Sequence, residues 1–265
     1  MSAALQASDP VLLRRDQDQV AYLTLNRAQA RNALSVGLMT ALEEALTAIA
    51  ADRDIHVVVI GGAGPAFCAG HDLREIRSNS DRAVMAGLFT QCSQLMQQIV
   101  NLPKPVIAQV HGVATAAGCQ LVASCDLAVA ADTARFATPG VNIGLFCSTP
   151  MVALSRAVSR KAAMEMLLTG DMIDAARARE LGLINRVVPE AELDAAVGAL
   201  AGQIARKSPL TLAIGKEAFY RQADMDLASA YALASETMTR NMMARDAAEG
   251  IDAFLGKRHP TWTGT

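Results

Sequence analysis

The stretch that decides the fold is "PVIAQVHGVATAAGCQLVASCD", residues 105–126. Its apolar first half predicts a buried strand, and its second half has the spacing of a helix. Between the two halves stand three small residues, Ala116, Ala117 and Gly118. The N-terminus of a helix presents unpaired backbone N–H groups and a partial positive charge. Small side chains at such a corner either let a ligand oxygen approach those groups or simply permit tight packing, and composition alone favours packing.

A second corner of this kind is "GPAFCAGHDLREI", residues 64–76. Two corners that face one another would form an oxyanion hole, in which N–H groups hold a carbonyl oxygen as it gains negative charge. The neighbouring letters "GGAGPAF" lack both the G-x-G-x-x-G spacing and the GK[ST] ending, so a phosphate-binding loop is not expected here.

Composition excludes several classes of function. The chain has 265 residues, 52% of them hydrophobic, which is enough for one large domain or two small ones. Only 19% of the residues are charged and the net charge is −2, so neither a nucleic-acid partner nor a membrane partner is expected. The first 20 residues show neither a secretory signal nor an Arg-rich presequence, and we therefore expect a cytoplasmic location.

The five cysteines show no C-x-x-C spacing and stand mostly among small apolar residues; they are Cys68, Cys92, Cys119, Cys125 and Cys147. This pattern predicts buried free thiols in a reducing compartment. The four histidines are scattered singly, so no metal site is expected.

The chain alternates strand-like and helix-like segments up to about residue 190. Strands are predicted within 19–26, 56–62, 104–112 and 126–132, and helices within 34–52, 81–101 and 148–170. The last 75 residues predict three or four helices and no strand. We therefore expect an α/β core domain, residues 1–195, followed by a helical C-terminal subdomain, residues 196–265.

Several blocks carry a resemblance to a known family. With the opening stretch, they are "NRAQARNALS" (26–35), "GGAGPAFCAGHDLREI" (61–76), "EMLLTGDMIDAARARELGLINRVV" (165–188) and "EGIDAFLGKR" (249–258). In this order they resemble the crotonase superfamily, the enoyl-CoA hydratases and isomerases, over nearly the whole chain. The resemblance implies a spiral of ββα turns and a homotrimer or dimer of trimers. It also implies an acyl-CoA thioester as ligand, with coenzyme A as part of the substrate and no permanently bound cofactor.

The resemblance also assigns site residues. The two oxyanion donors would be the backbone N–H groups of His71 and Ala117, although the second position is usually Gly in the family. Residues expected near coenzyme A are Arg27, Gln29, Ala30, Ala69, Arg74, Phe254 and Lys257. Gln29 stands where many relatives have Lys, which predicts the loss of one phosphate contact. Phe254 and Lys257 match residues that close over the nucleotide, sometimes from a neighbouring subunit.

Both catalytic glutamates of the family's hydratases are replaced. "GGGCE" becomes "AAGCQ", which places Gln120 at the first position, and "FG.PE" becomes "FATPG", which places Gly140 at the second. General acid–base catalysis needs a group that gains and loses a proton near the working pH, and neither residue has one. The nominal activity is enoyl-CoA hydratase or isomerase, without efficient two-glutamate hydration. The alternative is a catalytically weak or inactive acyl-CoA-binding protein.

Other residues could supply the missing proton transfer. Asp72 and Glu75 have the spacing of a capping box, which is the favoured interpretation. The imidazole of His71 is expected to pack or to face water rather than to act in catalysis, and Cys147 shows no activating base nearby. Both glutamates are replaced, and the stretch "FATPGVNIGLFCSTP" occupies residues 136–150. In these two features the chain most resembles the subgroup called enoyl-CoA hydratase domain-containing proteins.

Overall fold

The computed structural model describes residues 9–78 and 81–265; part of the segment on which the signal-peptide prediction was based, residues 1–8, lies outside this range. The strands are Leu12–Gln17 (β1), Val20–Leu25 (β2), Val57–Gly62 (β3), Ala66–Cys68 (β4), Val106–Val110 (β5), Val113–Thr115 (β6), Leu127–Ala131 (β7), Arg135–Ala137 (β8), Ile173–Asp174 (β9) and Arg186–Val188 (β10). They form a six-stranded sheet in the order β1-β2-β3-β5-β7-β10 and a four-stranded sheet in the order β4-β6-β8-β9. Only the β1–β2 and β8–β9 pairs are antiparallel.

The helices are Val36–Ala51 (α1), Leu73–Arg77 (α2), Arg82–Asn101 (α3), Ala117–Ser124 (α4), Pro150–Ala157 (α5), Arg160–Thr169 (α6), Ala175–Leu181 (α7), Leu193–Ala205 (α8), Pro209–Gln222 (α9), Leu227–Met242 (α10) and Arg245–Leu255 (α11). Three successive strand pairs, β3–β4, β5–β6 and β7–β8, each contribute one strand to the large sheet and one to the small sheet. One or more helices follow each pair. This is the predicted ββα spiral, with the predicted helical region at the C-terminal end.

Both faces of β3, inside the six-stranded sheet, are buried, as its continuous β-branched run predicts. Val58 and Ile60 face the main core, which also holds the apolar faces of α1 and α3. Val57 and Val59 face the opposite side, where Val197 and other residues of α8 cover them. The proposed domain boundary at residue 195 stays a prediction, and the helix that spans it packs on the core sheet.

One partly buried ion pair attaches the C-terminal helices to the sheet. The Nζ atom of Lys216, on α9, lies 2.7 Å from a carboxylate oxygen of Asp126, at the start of β7. The hydroxyl group of Tyr220 donates to the same carboxylate at 2.9 Å, and so does the backbone N–H of Val106 at 2.7 Å. Because the carboxylate has three partners, its burial is compensated and α9 is fixed against the end of the sheet.

The structure differs from the sequence-based expectation in two places. The helix predicted within 148–170 is two helices, because Ser159 accepts a hydrogen bond from the N–H of Ala162 and begins α6 anew. The sequence predicts Ser148 or Thr149 as the capping residue of this helix. Thr149 holds the N-cap position of α5 without making a side-chain capping bond, and the hydroxyl of Ser148 donates to the carbonyl of Phe146. Strand β1, with sequence "LLRRDQ", is a largely exposed edge strand that shows too little apolar alternation to be predicted.

The five cysteines are free and buried, as predicted. Within residues 9–78 and 81–265, no helix is both long enough and apolar enough to cross a membrane. Over the same residues, no group of three or more His, Cys, Asp or Glu side chains is arranged to hold a metal ion.

Gly118 allows helix α4 to pack closely against strand β4. A Cβ atom placed there would lie 2.1 Å from the carbonyl oxygen of Cys68, on the neighbouring β4. We expect Gly118→Ala to lower the free energy of unfolding by about 3 kcal/mol, because backbone must move to admit the methyl group. Urea unfolding followed by circular dichroism measures this change.

Gly87 is the matched control, because it is an exposed position of helix α3 where an added Cβ atom meets nothing within 4 Å. There the same Gly→Ala change should stabilise the protein by about 0.5–1 kcal/mol. Equal effects at the two positions would contradict the steric argument.

Candidate active site

The first corner lies between β6 and α4. Ala116 has φ 50° and ψ −118°, a conformation that suits glycine and strains a residue with a side chain. Its N–H donates to the carbonyl of Ala137 at 2.9 Å, which holds the corner to the end of β8. Ala117 is the first residue of α4, so its N–H points out of the helix end.

The second corner lies between β4 and α2, and a single β-bridge positions it. The N–H of Leu34 donates to the carbonyl of Gly70 at 2.7 Å, and the N–H of Asp72 donates to the carbonyl of Leu34 at 3.1 Å. In a parallel bridge of this kind, the central residue turns its own N–H to the opposite side. The N–H of His71 therefore faces away from Leu34.

The two corners are in direct contact. A Cβ atom placed on Gly70 would lie 2.9 Å from the Cβ atom of Ala116 and 3.4 Å from the backbone nitrogen of Ala117. Among the hydrogen bonds of the described residues, none has the N–H of His71 or of Ala117 as its donor. The two predicted donors are thus unpaired N–H groups on two segments that touch.

Gln120 lies one turn into α4 and is only 4% exposed. Its side-chain oxygen accepts a weak hydrogen bond from the thiol of Cys92 on α3, with Sγ and Oε1 3.9 Å apart. Burial raises the pKa of the Cys92 thiol to about 12, so the sulfur is protonated and acts as the donor. The amide of Gln120 does not titrate near neutral pH, so it offers no proton-transfer group at the position where the resemblance predicts a replaced glutamate.

At Gly140, the space that a side chain would need is occupied. A Cβ atom there would lie 2.6 Å from the carbonyl oxygen of Leu145 and 2.9 Å from Sγ of Cys147. The N–H of Leu145 also donates to the carbonyl of Gly140 at 2.9 Å, which closes the turn over it. Cys147 is buried and burial raises the pKa of its thiol, so it is not activated as a nucleophile.

Three side-chain atoms in the described part of the chain are buried without a hydrogen-bond partner: both ring nitrogens of His71 and the hydroxyl oxygen of Thr138. The His71 ring packs edge-on against the ring of Phe89, with centroids 5.5 Å apart. Burial lowers the pKa of His71, and the nearby carbonyl of Leu34 acts in the opposite direction. That carbonyl does not reach hydrogen-bond geometry with either ring nitrogen. Thr138 follows Ala137 beside the first corner; no sequence pattern marks it, because its unpaired hydroxyl is visible only in the fold.

Asp72 is the N-cap of α2, as predicted, and accepts hydrogen bonds from the N–H groups of Arg74 and Glu75. The guanidinium of Arg27, 2.9 Å away, and these N–H groups hold the pKa of Asp72 below its usual value. Glu75 does not complete the capping box, because its carboxylate accepts from the N–H of Val36 at the start of α1. Both carboxylates are therefore committed to structural contacts.

The residues assigned to coenzyme A fall into separate places. Arg27, Gln29, Ala30 and Arg74 line one cavity of about 510 Å³. Ala69 is not among its lining residues; its carbonyl accepts from the hydroxyl of Thr115 at 3.1 Å.

The two C-terminal residues assigned to coenzyme A do not line this cavity either. Phe254 is 83% exposed and borders an apolar groove of about 470 Å³ that Trp262 also lines. Lys257 follows the end of α11 with φ 52° and is exposed.

The family model described as "Enoyl-CoA hydratase/isomerase" matches residues 15–265. The chain belongs to this family. A crystal structure of an enoyl-CoA hydratase from Mycobacterium smegmatis is 54% identical, with a TM-score of 0.94, and the match covers 96% of this chain and 99% of that one.

Two curated relatives show the range within the family. The human "Enoyl-CoA hydratase domain-containing protein 3, mitochondrial" is 49% identical over 249 residues, which cover 94% of this chain and 82% of the relative. The "2,3-dehydroadipyl-CoA hydratase" of Escherichia coli is 37% identical over 250 residues, which cover 94% of this chain and 96% of the relative.

The predicted subgroup is confirmed. The predicted cytoplasmic location is wrong, because the human relative and its rat and mouse counterparts are named as mitochondrial proteins.

The strain at Ala116 gives a test of the first corner. We expect Ala116→Gly to raise the free energy of unfolding by about 1–2 kcal/mol, because glycine adopts a positive φ without strain. Ala117→Gly is the control: this buried helical residue has no positive φ, and its replacement should cost about 1 kcal/mol. Urea unfolding measures the stability of both variants. The assignment of strain would be contradicted if Ala116→Gly were the less stable of the two.

Proposed function

We propose that the chain binds an acyl-CoA or enoyl-CoA thioester and holds its carbonyl oxygen between the backbone N–H groups of His71 and Ala117. The observation that carries this proposal is the contact between the two corners, at which both N–H groups are unpaired. Buried donors aimed at an oxygen that gains charge stabilise it strongly, and one such donor is worth about 3 kcal/mol of barrier. The nominal activity is that of an enoyl-CoA hydratase or isomerase.

The coenzyme A part of the ligand would occupy the cavity of Arg27, Gln29, Ala30 and Arg74. Arg27 is already paired with Asp72, whereas Arg74 makes no ion pair with any described residue. Arg74 is thus the residue we assign to a phosphate group. Gln29 offers a hydrogen bond but no charge at the position where many relatives have Lys.

A second candidate function is an acyl-CoA-binding protein that turns over weakly or not at all. Two observations favour it: the neutral amide of Gln120 is engaged with Cys92, and the Leu145–Cys147 turn fills the side-chain space of Gly140. Polarisation of the thioester can persist without these groups, but addition of water by two carboxylates cannot.

The homotrimer or dimer of trimers stays part of the proposal. Large apolar side chains are exposed along α6 and the last three helices, including Leu168 (60%), Leu227 (75%) and Phe254 (83%). Apolar surface of this extent is typical of a face that packs against another protein, and a second copy of the chain would cover it.

The two candidate functions are separated by measuring binding and turnover together. We expect butyryl-CoA to bind with a dissociation constant of about 1–100 µM by calorimetry. Hydration of crotonyl-CoA, followed by loss of enoyl absorbance, should be at least about 100-fold slower than in a family member that keeps both glutamates, because the acid–base groups are missing. Binding without turnover favours the second candidate, and hydration at the rate of the reference enzyme would contradict our assignment of Gln120 and Gly140.

Introducing glutamate should raise the rate of hydration at position 120 but destabilise the fold at position 140. Gln120→Glu keeps the size of the side chain and should raise crotonyl-CoA hydration by about 10-fold or more. Gly140→Glu must displace the Leu145–Cys147 turn and should cost about 3 kcal/mol of stability.

Gly37→Glu is the matched control for the Gly140 change, because an added Cβ atom at Gly37, in the first turn of α1, meets nothing within 4 Å. A Gly140→Glu variant as stable as the Gly37→Glu variant would show that the turn yields easily.

A further inference from the structure

The β-bridge between Leu34 and His71 fixes the backbone of the second corner. Leu34 donates its N–H to the carbonyl of Gly70 at 2.7 Å and accepts from the N–H of Asp72 at 3.1 Å. Both hydrogen bonds of the bridge are thus made by the two chain neighbours of His71. The direction of the His71 N–H therefore depends on how Gly70 and Asp72 are held.

The guanidinium group of Arg27 joins the two chain segments that form this bridge. Its Nη1 atom donates to the carbonyl of Ala33 at 2.5 Å, and its Nη2 atom donates to the carboxylate of Asp72 at 2.9 Å. Ala33 directly precedes Leu34, and Asp72 directly follows His71. Because the donors of a guanidinium group have a fixed planar geometry, the two bonds together restrict the rotation of both segments.

Asn32 holds the backbone from which this guanidinium group extends. Its Oδ1 atom accepts from the N–H of Arg27 at 2.9 Å, and its Nδ2 atom donates to the carbonyls of Ala63 and Ala66, each at 2.8 Å. Asn32 is buried and has φ 54°, a left-handed conformation that asparagine adopts more readily than most residues. Arg27 is therefore fixed through its main chain as well as its side chain, which suits a residue that orients others.

The ion pair also sets the charge beside the His71 N–H. Asp72 is the next residue, and an unpaired carboxylate there would repel an oxygen that gains negative charge. The hydrogen bond from Arg27 holds the pKa of Asp72 below its usual range, so the carboxylate is ionised and paired at neutral pH. Only 23% of the Arg27 side chain and 15% of the Asp72 side chain are exposed, so solvent screens this pair less than a surface pair.

We propose that Arg27 is a positioning residue that orients the His71 N–H toward the thioester oxygen, acting through the carbonyl of Ala33 and the carboxylate of Asp72. This inference rests on the proposed function. Arg27 also lines the cavity assigned to coenzyme A, so a contact with a phosphate group is the competing role. A phosphate contact alone would change affinity and leave the carbonyl of a bound ligand equally polarised, whereas a positioning residue changes that polarisation.

The experiment measures carbonyl polarisation in the bound state. In para-dimethylaminocinnamoyl-CoA, the amino group donates electrons toward the thioester carbonyl, so its absorbance moves to longer wavelength when N–H groups polarise that carbonyl. The wild-type protein should produce this red shift at saturating ligand. Arg27→Gln should lose about half of the shift or more at saturation, whatever its affinity. Arg27→Lys, which keeps the charge without the planar fork, should lie between the two.

A shorter ligand separates positioning from a phosphate contact. The N-acetylcysteamine thioester of the same acid has the chromophore and the carbonyl but no nucleotide, and Arg27→Gln should reduce its red shift to the same degree. Arg14→Gln is the matched control, because Arg14 pairs with Asp16 at 2.8 Å on the edge strand β1. This variant should keep the wild-type shift with both ligands.

A double-mutant cycle tests whether Arg27 acts through Asp72. Asp72→Asn keeps the size of the side chain and an oxygen that can cap α2, but it removes the charge of the pair. Asp72→Asn should reduce the red shift, and the double variant with Arg27→Gln should lose no more than Arg27→Gln alone, because both changes break one interaction. Arg27→Lys and Asp72→Asn carry the test if Arg27→Gln does not fold.

Three results would overturn the inference: a wild-type red shift in the Arg27 variants at saturation, a loss seen with the CoA thioester but not with the shorter thioester, or strictly additive losses in the cycle. A wild-type protein that does not bind the CoA thioester, or binds it without a red shift, would instead overturn the proposed function.

Discussion

The close approach of β4 to the start of α4 is the constraint on which the rest of the site depends. Gly118 lies so near the carbonyl of Cys68 that a single methyl group would not fit between them. This approach brings the segment of Gly70 and His71 against Ala116 and Ala117, so that two unpaired backbone N–H groups come from different ββα turns. In the proposed function, these N–H groups, which follow neighbouring strands of one sheet, need no reorganisation when a ligand oxygen arrives.

The same region holds the buried polar atoms that lack partners. All three buried side-chain atoms without partners in the described residues belong to His71 and Thr138. Elsewhere, buried polar groups are well satisfied: Asn32, for example, bonds to three backbone groups, on Arg27, Ala63 and Ala66. Unpaired groups that gather at one corner of an otherwise satisfied structure mark a place where selection has favoured something other than stability.

Much of this could be predicted from the sequence, and the remainder could not for identifiable reasons. The buried strand β3, the N-cap Asp72 and the helical end of the chain follow from local pattern. The resemblance supplied the positions of the donors and of the two replaced glutamates. The filling of the space at Gly140 depends on Leu145 and Cys147, whose turn has no signature in the letters "GLFC". The contact of Phe89 with His71 joins helix α3 to the corner between β4 and α2 and arises only when they pack.

The changes at positions 120 and 140 differ in kind, and this difference constrains how the site diverged from two-glutamate relatives. At Gln120 the side chain keeps the size of a glutamate and exchanges a charge for an amide, so the pocket keeps its shape. At Gly140 there is no side chain, and the carbonyl oxygen of Leu145 lies in the space that one would need. Because interiors are close-packed, a side chain at position 140 would require the whole 140–147 segment to change. In the proposed function, two neutral positions of this kind favour a reaction, or a binding role, that needs the polarised thioester without the activated water.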